Sequence, residues 1–291
     1  MVLHDELGRF AKCFLLAPVL AAFLNFSTTW AEENLSISVP RVEKAIVDQR
    51  VYRDSENGCG PACLLNLLKF SSERYQGAYQ GLLGRTEEAR MRYVIDRYFR
   101  NRRSEVVPGQ KRWGVHGVVS EDLVAGLNEL LAENDIEAFR GAYLDRRKDE
   151  PDEEMIERVH RLFERSIENG VAPILSLRSF RVTEGENGEP GWQSGHHHNV
   201  VVVGISPIRE GLGFTAEVLD SWGGVRNHLL IHREPGQQPF RALKGTEDFG
   251  RWLTGSPFLE VVAPGMTSLR PRDLKWSERL VVTANYAIGD F

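Results

Sequence analysis

The chain has 291 residues, 42% of them hydrophobic and 26% charged, with a formal net charge of -5. That length holds one large domain or two small ones, and the balance of residues excludes collagen-like, disordered and multi-span membrane chains. A mildly acidic whole argues against a nucleic-acid partner, and three cysteines are too few for a disulfide framework at this size.

The first segment stands apart. Arg9 and Lys12 flank an apolar run from Cys13 to Leu24, and Thr29-Trp30-Ala31 precedes the acidic pair Glu32-Glu33. A basic flank, about a dozen apolar residues and small residues at the cut form the signal-peptide pattern, although Asp5 and Glu6 are out of keeping with it. The run falls short of the roughly 20 residues of a bilayer span. Residues 1–31 are thus expected to be a signal peptide, with a retained anchor or a core helix as alternatives. Residues 32–291 are expected to form one exported domain, periplasmic or extracellular, with no integral membrane span and only Cys59 and Cys63 left.

Pro61 to Phe70 is apolar almost all round, the pattern of a helix buried on every side, with Pro61 at its first position. A second helix starts near Thr86, with Met91, Val94, Ile95 and Tyr98 as its apolar stripe, and ends before Pro108-Gly109. Ser120 suits the cap of a third, whose stripe is Leu123, Leu127, Leu130 and Leu131. A fourth runs from Asp152 to Glu168, with Ile156, Val159, Phe163 and Ile167 apolar, and stops at Asn169-Gly170. Strand-like runs then follow at Val171–Leu177, Asn199–Ile205, Phe214–Leu219, His228–His232, Phe258–Val262 and Leu280–Tyr286. Gly, Pro and Asn turns between them suit an antiparallel sheet, and helices followed by strands make an α+β layout.

Three short motifs carry chemistry. Asn57-Gly58-Cys59-Gly60-Pro61 sets Cys59 at the head of the buried helix, where unpaired N–H groups and the helix dipole favour a thiolate. Read alone, it fits a structural turn cysteine equally well. Cys63, one turn on among leucines, reads as inert core. In His196-His197-His198-Asn199-Val200, the histidines open an apolar strand, with His196 and His198 on one side and His197 on the other. Asp220-Ser221-Trp222-Gly223 ends another strand, where a carboxylate can hold a histidine tautomer. The bland alternatives are solvated histidines and a turn-building Asp.

Together, Cys59 at its helix, His198 to Gly204 and Asp220-Ser221-Trp222-Gly223 resemble the papain-like cysteine peptidases. The Cys-Gly-Pro-Ala start and the Asp are closest to the double-glycine (bacteriocin-processing) branch, and the likeness covers roughly residues 45–235. The resemblance implies a papain-like α+β fold, an N-terminal helical layer with the nucleophile helix packed on a C-terminal antiparallel β-sheet. It also implies a cysteine peptidase-like hydrolase of peptide or protein substrates, with no cofactor. Cys59 would be the nucleophile, His198 the general acid/base and Asp220 the orienting group of an acyl-thioester mechanism. The family places a Gln about six residues before the nucleophile as an oxyanion donor. Here that position is Arg53, leaving Gln49 and Asn57 as candidates, and losing one such donor typically costs about 10²–10³ in rate. A weak or inactive binding module and an acyltransferase are the alternatives.

The arginines between Arg90 and Arg112 read as a solvated helix face, an anionic partner being the other possibility. His196 and His198 invite a zinc reading with Cys59 or Asp220, but no metal-binding spacing supports it, so no metal is assigned. Thr183–Gly191 reads as a hairpin loop.

Overall fold

The computed structural model describes residues 34–37, 46–53, 57–114, 117–184, 190–233, 241–242, 258–271, 273–274 and 278–291, so the expected signal peptide lies outside them. Met1–Asn34 and Leu35–Phe291 are separate units, and the second carries the site.

A two-residue strand, β1 (Leu35–Ser36), and a 3-10 turn at Gln49–Val51 precede helix α1 (Cys59–Phe70). Every residue of α1 except Cys59 and Lys69 is buried, as its almost wholly apolar surface requires. Pro61 stands third in it rather than first, which costs no hydrogen bond because first-turn N–H groups have no carbonyl to reach. Helix α2 (Glu73–Gly81) was not anticipated; Gly77 and Gly81 lower its intrinsic helix preference. Helix α3 (Glu87–Val94) is capped by Thr86, whose Oγ1 accepts from the Ala89 N–H at 3.2 Å, and it runs on as a π-helical segment, Ile95–Arg100. Its expected stripe, Met91, Val94, Ile95 and Tyr98, is buried.

Helix α4 (Ser120–Ala132) buries Leu123, Leu127, Leu130 and Leu131, but Val119 rather than Ser120 occupies the cap position. Strand β2 (Arg140–Tyr143) then precedes α5 (Asp152–Glu168), which has the expected bounds and an acidic first turn. The remaining strands are β3 (Ile174–Glu184), β4 (Pro190–Ile205), β5 (Phe214–Asp220), β6 (Val225–His232), β7 (Arg241–Ala242), β8 (Leu259–Val262) and β9 (Arg279–Gly289). Strand residues occupy much of the expected Thr183–Gly191 loop, of which 185–189 lie outside the described residues.

Six of these strands close on themselves. The order is β4-β3-β9-β8-β6-β5, and β5 pairs back to β4, so all pairings around the ring are antiparallel. The short strands β1, β2 and β7 add to β4, β9 and β4. This closed barrel, with five α-helices among the described residues, replaces the expected papain-like layer of helices on an open sheet. Alternation in a sequence says which face a side chain takes, not which strands become neighbours, so closure was invisible there. Register shifts at Ser176/Leu177, Arg178/Phe180 and Val202/Gly204 supply local bends of the kind barrels use to curve.

The valine run of β4 forms a wall between two cores. Val201 and Val203 join Leu64, Leu68, Phe99 and Leu127 on the helical side, whereas Val200 and Val202 join Leu177, Val218, Leu229 and Leu259 in the barrel. Met155, Val159 and Phe163 of α5 pack into the barrel cluster. Strands buried on both faces read as continuous apolar runs, which explains the unbroken valines. Among the described residues no helix is long and apolar enough to cross a membrane.

Candidate active site

The segment before α1 is fastened twice. Buried Asn66 of α1 accepts from the Val47 N–H at 2.7 Å and donates to its carbonyl at 3.1 Å. The Gln49 N–H donates to the Ser221 carbonyl at 2.8 Å, and Ser221 Oγ donates back to Gln49 Oε1 at 2.8 Å. Asp48 accepts from the Gly223 N–H at 3.1 Å. Gly223 and Gly224 have φ of +100° and +62°, which side-chain-bearing residues rarely adopt, so the β5–β6 turn is tight enough to receive this segment. The head of α1 and the end of β5 are thereby held together.

At that junction lie the three residues singled out from the sequence. The histidines are not at the opening of their strand but within β4, which begins at Pro190. His198 Nε2 lies 2.7 Å from Asp220 Oδ1, and both side chains are buried. Asp220 is itself held, accepting from the Trp222 N–H at 2.8 Å and from Asn227 Nδ2 at 3.4 Å. With Nε2 committed to the carboxylate, Nδ1 is the ring nitrogen left for the sulfur, and His198 hydrogen-bonds Cys59.

The electrostatics favour an ion pair. Burial alone would raise the Cys59 thiol, but the hydrogen bond and charge of His198, with hydrogen bonds from the Asn199 backbone and side chain, hold it below its ordinary value. Burial likewise opposes the His198 charge, yet Asp220 and Cys59 lift His198 to about 9. Its neighbour goes the other way: burial, then the charges of Arg178 and His198, push His197 down to about 3. Strand alternation turns these two rings to opposite faces, which is why adjacent histidines differ so much.

Cys63 is wholly buried, its thiol donates to the Asn199 carbonyl at 3.0 Å, and burial raises it well above its ordinary value. It is core, as its place among leucines suggested. Among the described residues, Cys59 and Cys63 are both free of disulfides.

Of the oxyanion candidates, Gln49 is buried and tied to the residue after Asp220, whereas Asn57 packs its backbone against Gly117. Arg53 is exposed. Sequence reasoning missed Asn199, whose Nδ2 lies 3.5 Å from Cys59 Sγ. A polar residue interrupting the step from His198 into four valines was the available signal. The arginine-rich segment is ion-paired, with Arg92–Glu88, Arg97–Glu133 and Arg100–Asp96 at the surface and Arg112–Glu129 from a buried Arg112, all at 2.5–2.9 Å. Among the described residues no three His, Cys, Asp or Glu side chains gather as a metal site.

Compared with protein-family models, curated proteins and solved structures, the chain matches none.

Proposed function

We propose that the protein is a thiol hydrolase, exported from the cell, that cleaves peptide bonds through Cys59, His198 and Asp220. The observation that carries this is the run of contacts Cys59–His198–Asp220, with His198 Nε2 2.7 Å from Asp220 and His198 hydrogen-bonded to Cys59. Its likeness to the papain-like cysteine peptidases lies in these local motifs and not in the architecture, so the site bears the whole weight.

In the proposed reaction the Cys59 thiolate attacks the substrate carbonyl, and Gln49 together with the N–H groups at the head of α1 stabilises the oxyanion. The intermediate collapses as the His198 imidazolium gives its proton to the leaving amine, which leaves an acyl-thioester on Cys59. His198, now neutral, takes a proton from water as the water oxygen attacks the thioester carbonyl, and cleavage of the C–S bond releases the acid and restores the Cys59 thiolate–His198 imidazolium pair. Asp220 keeps the ring oriented and supports its charge throughout.

An activated ester tests this without knowledge of the natural substrate. Mixing the protein with p-nitrophenyl acetate should release a burst of one nitrophenol per protein and leave an acetyl group on the Cys59 peptide. Both should vanish in Cys59→Ala and fall sharply in His198→Ala. No burst in the unaltered protein, or acetylation of Cys63 instead, contradicts the proposal.

A further inference from the structure

Three buried polar side chains run from helix α4 to the nucleophile. Ser120, Ser176 and Asn199 are 2%, 0% and 1% exposed, shut off from bulk solvent. Ser176 on β3 and Asn199 on β4 are directly opposed in register, and cross-strand partners share a face. That face is the helical one, since Val201 two residues along from Asn199 belongs to the helical core. Ser120, the first residue of α4, reaches the same pair from above the sheet.

Donation along this chain has a single direction. Ser176 Oγ donates to Asn199 Oδ1 at 2.5 Å. A hydroxyl has one proton, so Ser176 must accept in its 3.1 Å contact with Ser120 Oγ, and Ser120 is the donor there. With its Oδ1 held by Ser176, Asn199 presents its amide N–H to Cys59 Sγ at 3.5 Å. Each donor thus points toward the sulfur, an arrangement in which successive hydrogen bonds polarise one another. The reverse amide orientation would put Oδ1 against a thiolate and leave Ser176 facing an NH2 group.

Resting on the thiolate reading above, we propose that Ser120, Ser176 and Asn199 form a one-way hydrogen-bond relay that fixes the Asn199 amide as a donor to Cys59. Asn199 touches the reacting atom and is a catalytic residue; Ser176 and Ser120 are positioning residues that act through it. The relay also accounts for Ser120 lacking the capping role its sequence position suggests, since its hydroxyl is used across the helix–sheet interface.

The test is the pH dependence of iodoacetamide alkylation of Cys59 in the full chain, with circular dichroism to check folding. Removing a hydrogen bond to a charged group should move the midpoint up by about one pH unit in Asn199→Ala. Ser176→Ala and Ser120→Ala should give smaller upward shifts in that order, and Ser176→Thr, which keeps the hydroxyl, should restore the original midpoint. Ser120→Ala lies farthest from the sulfur and keeps the test readable where Asn199→Ala does not fold. Midpoints unchanged in Asn199→Ala, Ser176→Ala and Ser120→Ala, while His198→Ala raises its own, overturn the relay alone. An unaltered protein that titrates like a free thiol, at about 8.5, overturns the relay and the thiolate together.

Discussion

Gln49 and Ser221 are joined by two hydrogen bonds, the Gln49 N–H to the Ser221 carbonyl and the Ser221 hydroxyl to Gln49 Oε1, each 2.8 Å long. Because Ser221 follows Asp220 directly, this pairing couples the segment ahead of Cys59 to the end of the strand that bears Asp220. The proposed mechanism takes Gln49 rather than Asn57 as the side-chain oxyanion donor. Gln49→Ala should therefore slow nitrophenyl ester turnover by about 10²–10³ while leaving alkylation of Cys59 unaltered. Asn57→Ala should change turnover by less than about tenfold, and the ratio of acylation rate to alkylation rate separates the two.

The same segment depends on Asn66, which is fully buried and bonded to both backbone groups of Val47. Asn66→Ala leaves a buried N–H and a buried carbonyl without partners, at a cost of about 2–4 kcal/mol. Urea unfolding monitored by tryptophan fluorescence should show the midpoint falling with the slope unchanged.

Asp220→Asn retains the size of the carboxylate but loses its charge and its preference for one imidazole tautomer. Acylation should drop by up to about 10⁴, the scale seen when such an orienting group is neutralised. The alkylation midpoint of Cys59 should rise as well, since His198 loses the partner that supports its charge. Stopped-flow measurement of the nitrophenol burst reads the first effect and alkylation the second.

His197 and His198 predict opposite dependences of stability on pH. His197, held down at about 3, is neutral in the folded state, so its contribution is full above the unfolded value of 6.5 and is lost as pH falls from there toward about 3. His198, raised to about 9, contributes fully below 6.5, and that contribution is lost as pH rises through about 9. His197→Gln should therefore flatten the acid side of a Tm-against-pH curve, by on the order of 1 kcal/mol per pH unit below 6.5. A variant that loses Tm between pH 6.5 and 5 as steeply as the unaltered protein contradicts this.

That Cys59, His198 and Asp220 gather at one place was legible because each sits in a short local pattern: Cys59 ahead of an apolar helix, His198 before valines, and Asp220 before Trp and two glycines. Helices α3, α4 and α5 were legible for the same reason, and α5 has the bounds its stripe suggested. Barrel closure was not, since it depends on β4 pairing with β3 along one edge and β5 along the other, and no local pattern encodes that partnership. In the sequence Ser120 reads as a capping residue, and only the structure shows it inside the first turn of α4 with its hydroxyl on Ser176. Asn199 was overlooked because its polar side chain lies beside a more conspicuous histidine. The 140–143 strand is four residues long among helices and earns its place by pairing with β9, at the far end of the chain.

The most direct measurement is a nitrogen-15 NMR titration of His198 in histidine-labelled protein, unaltered and with Cys59→Ala. At pH 7 the ring should carry protons on both nitrogens and lose one near 9, and Cys59→Ala should bring that transition down toward 6.5. A His198 ring that is neutral at pH 7, titrates near 6.5 and is indifferent to Cys59 would contradict the ion pair on which the proposed chemistry stands.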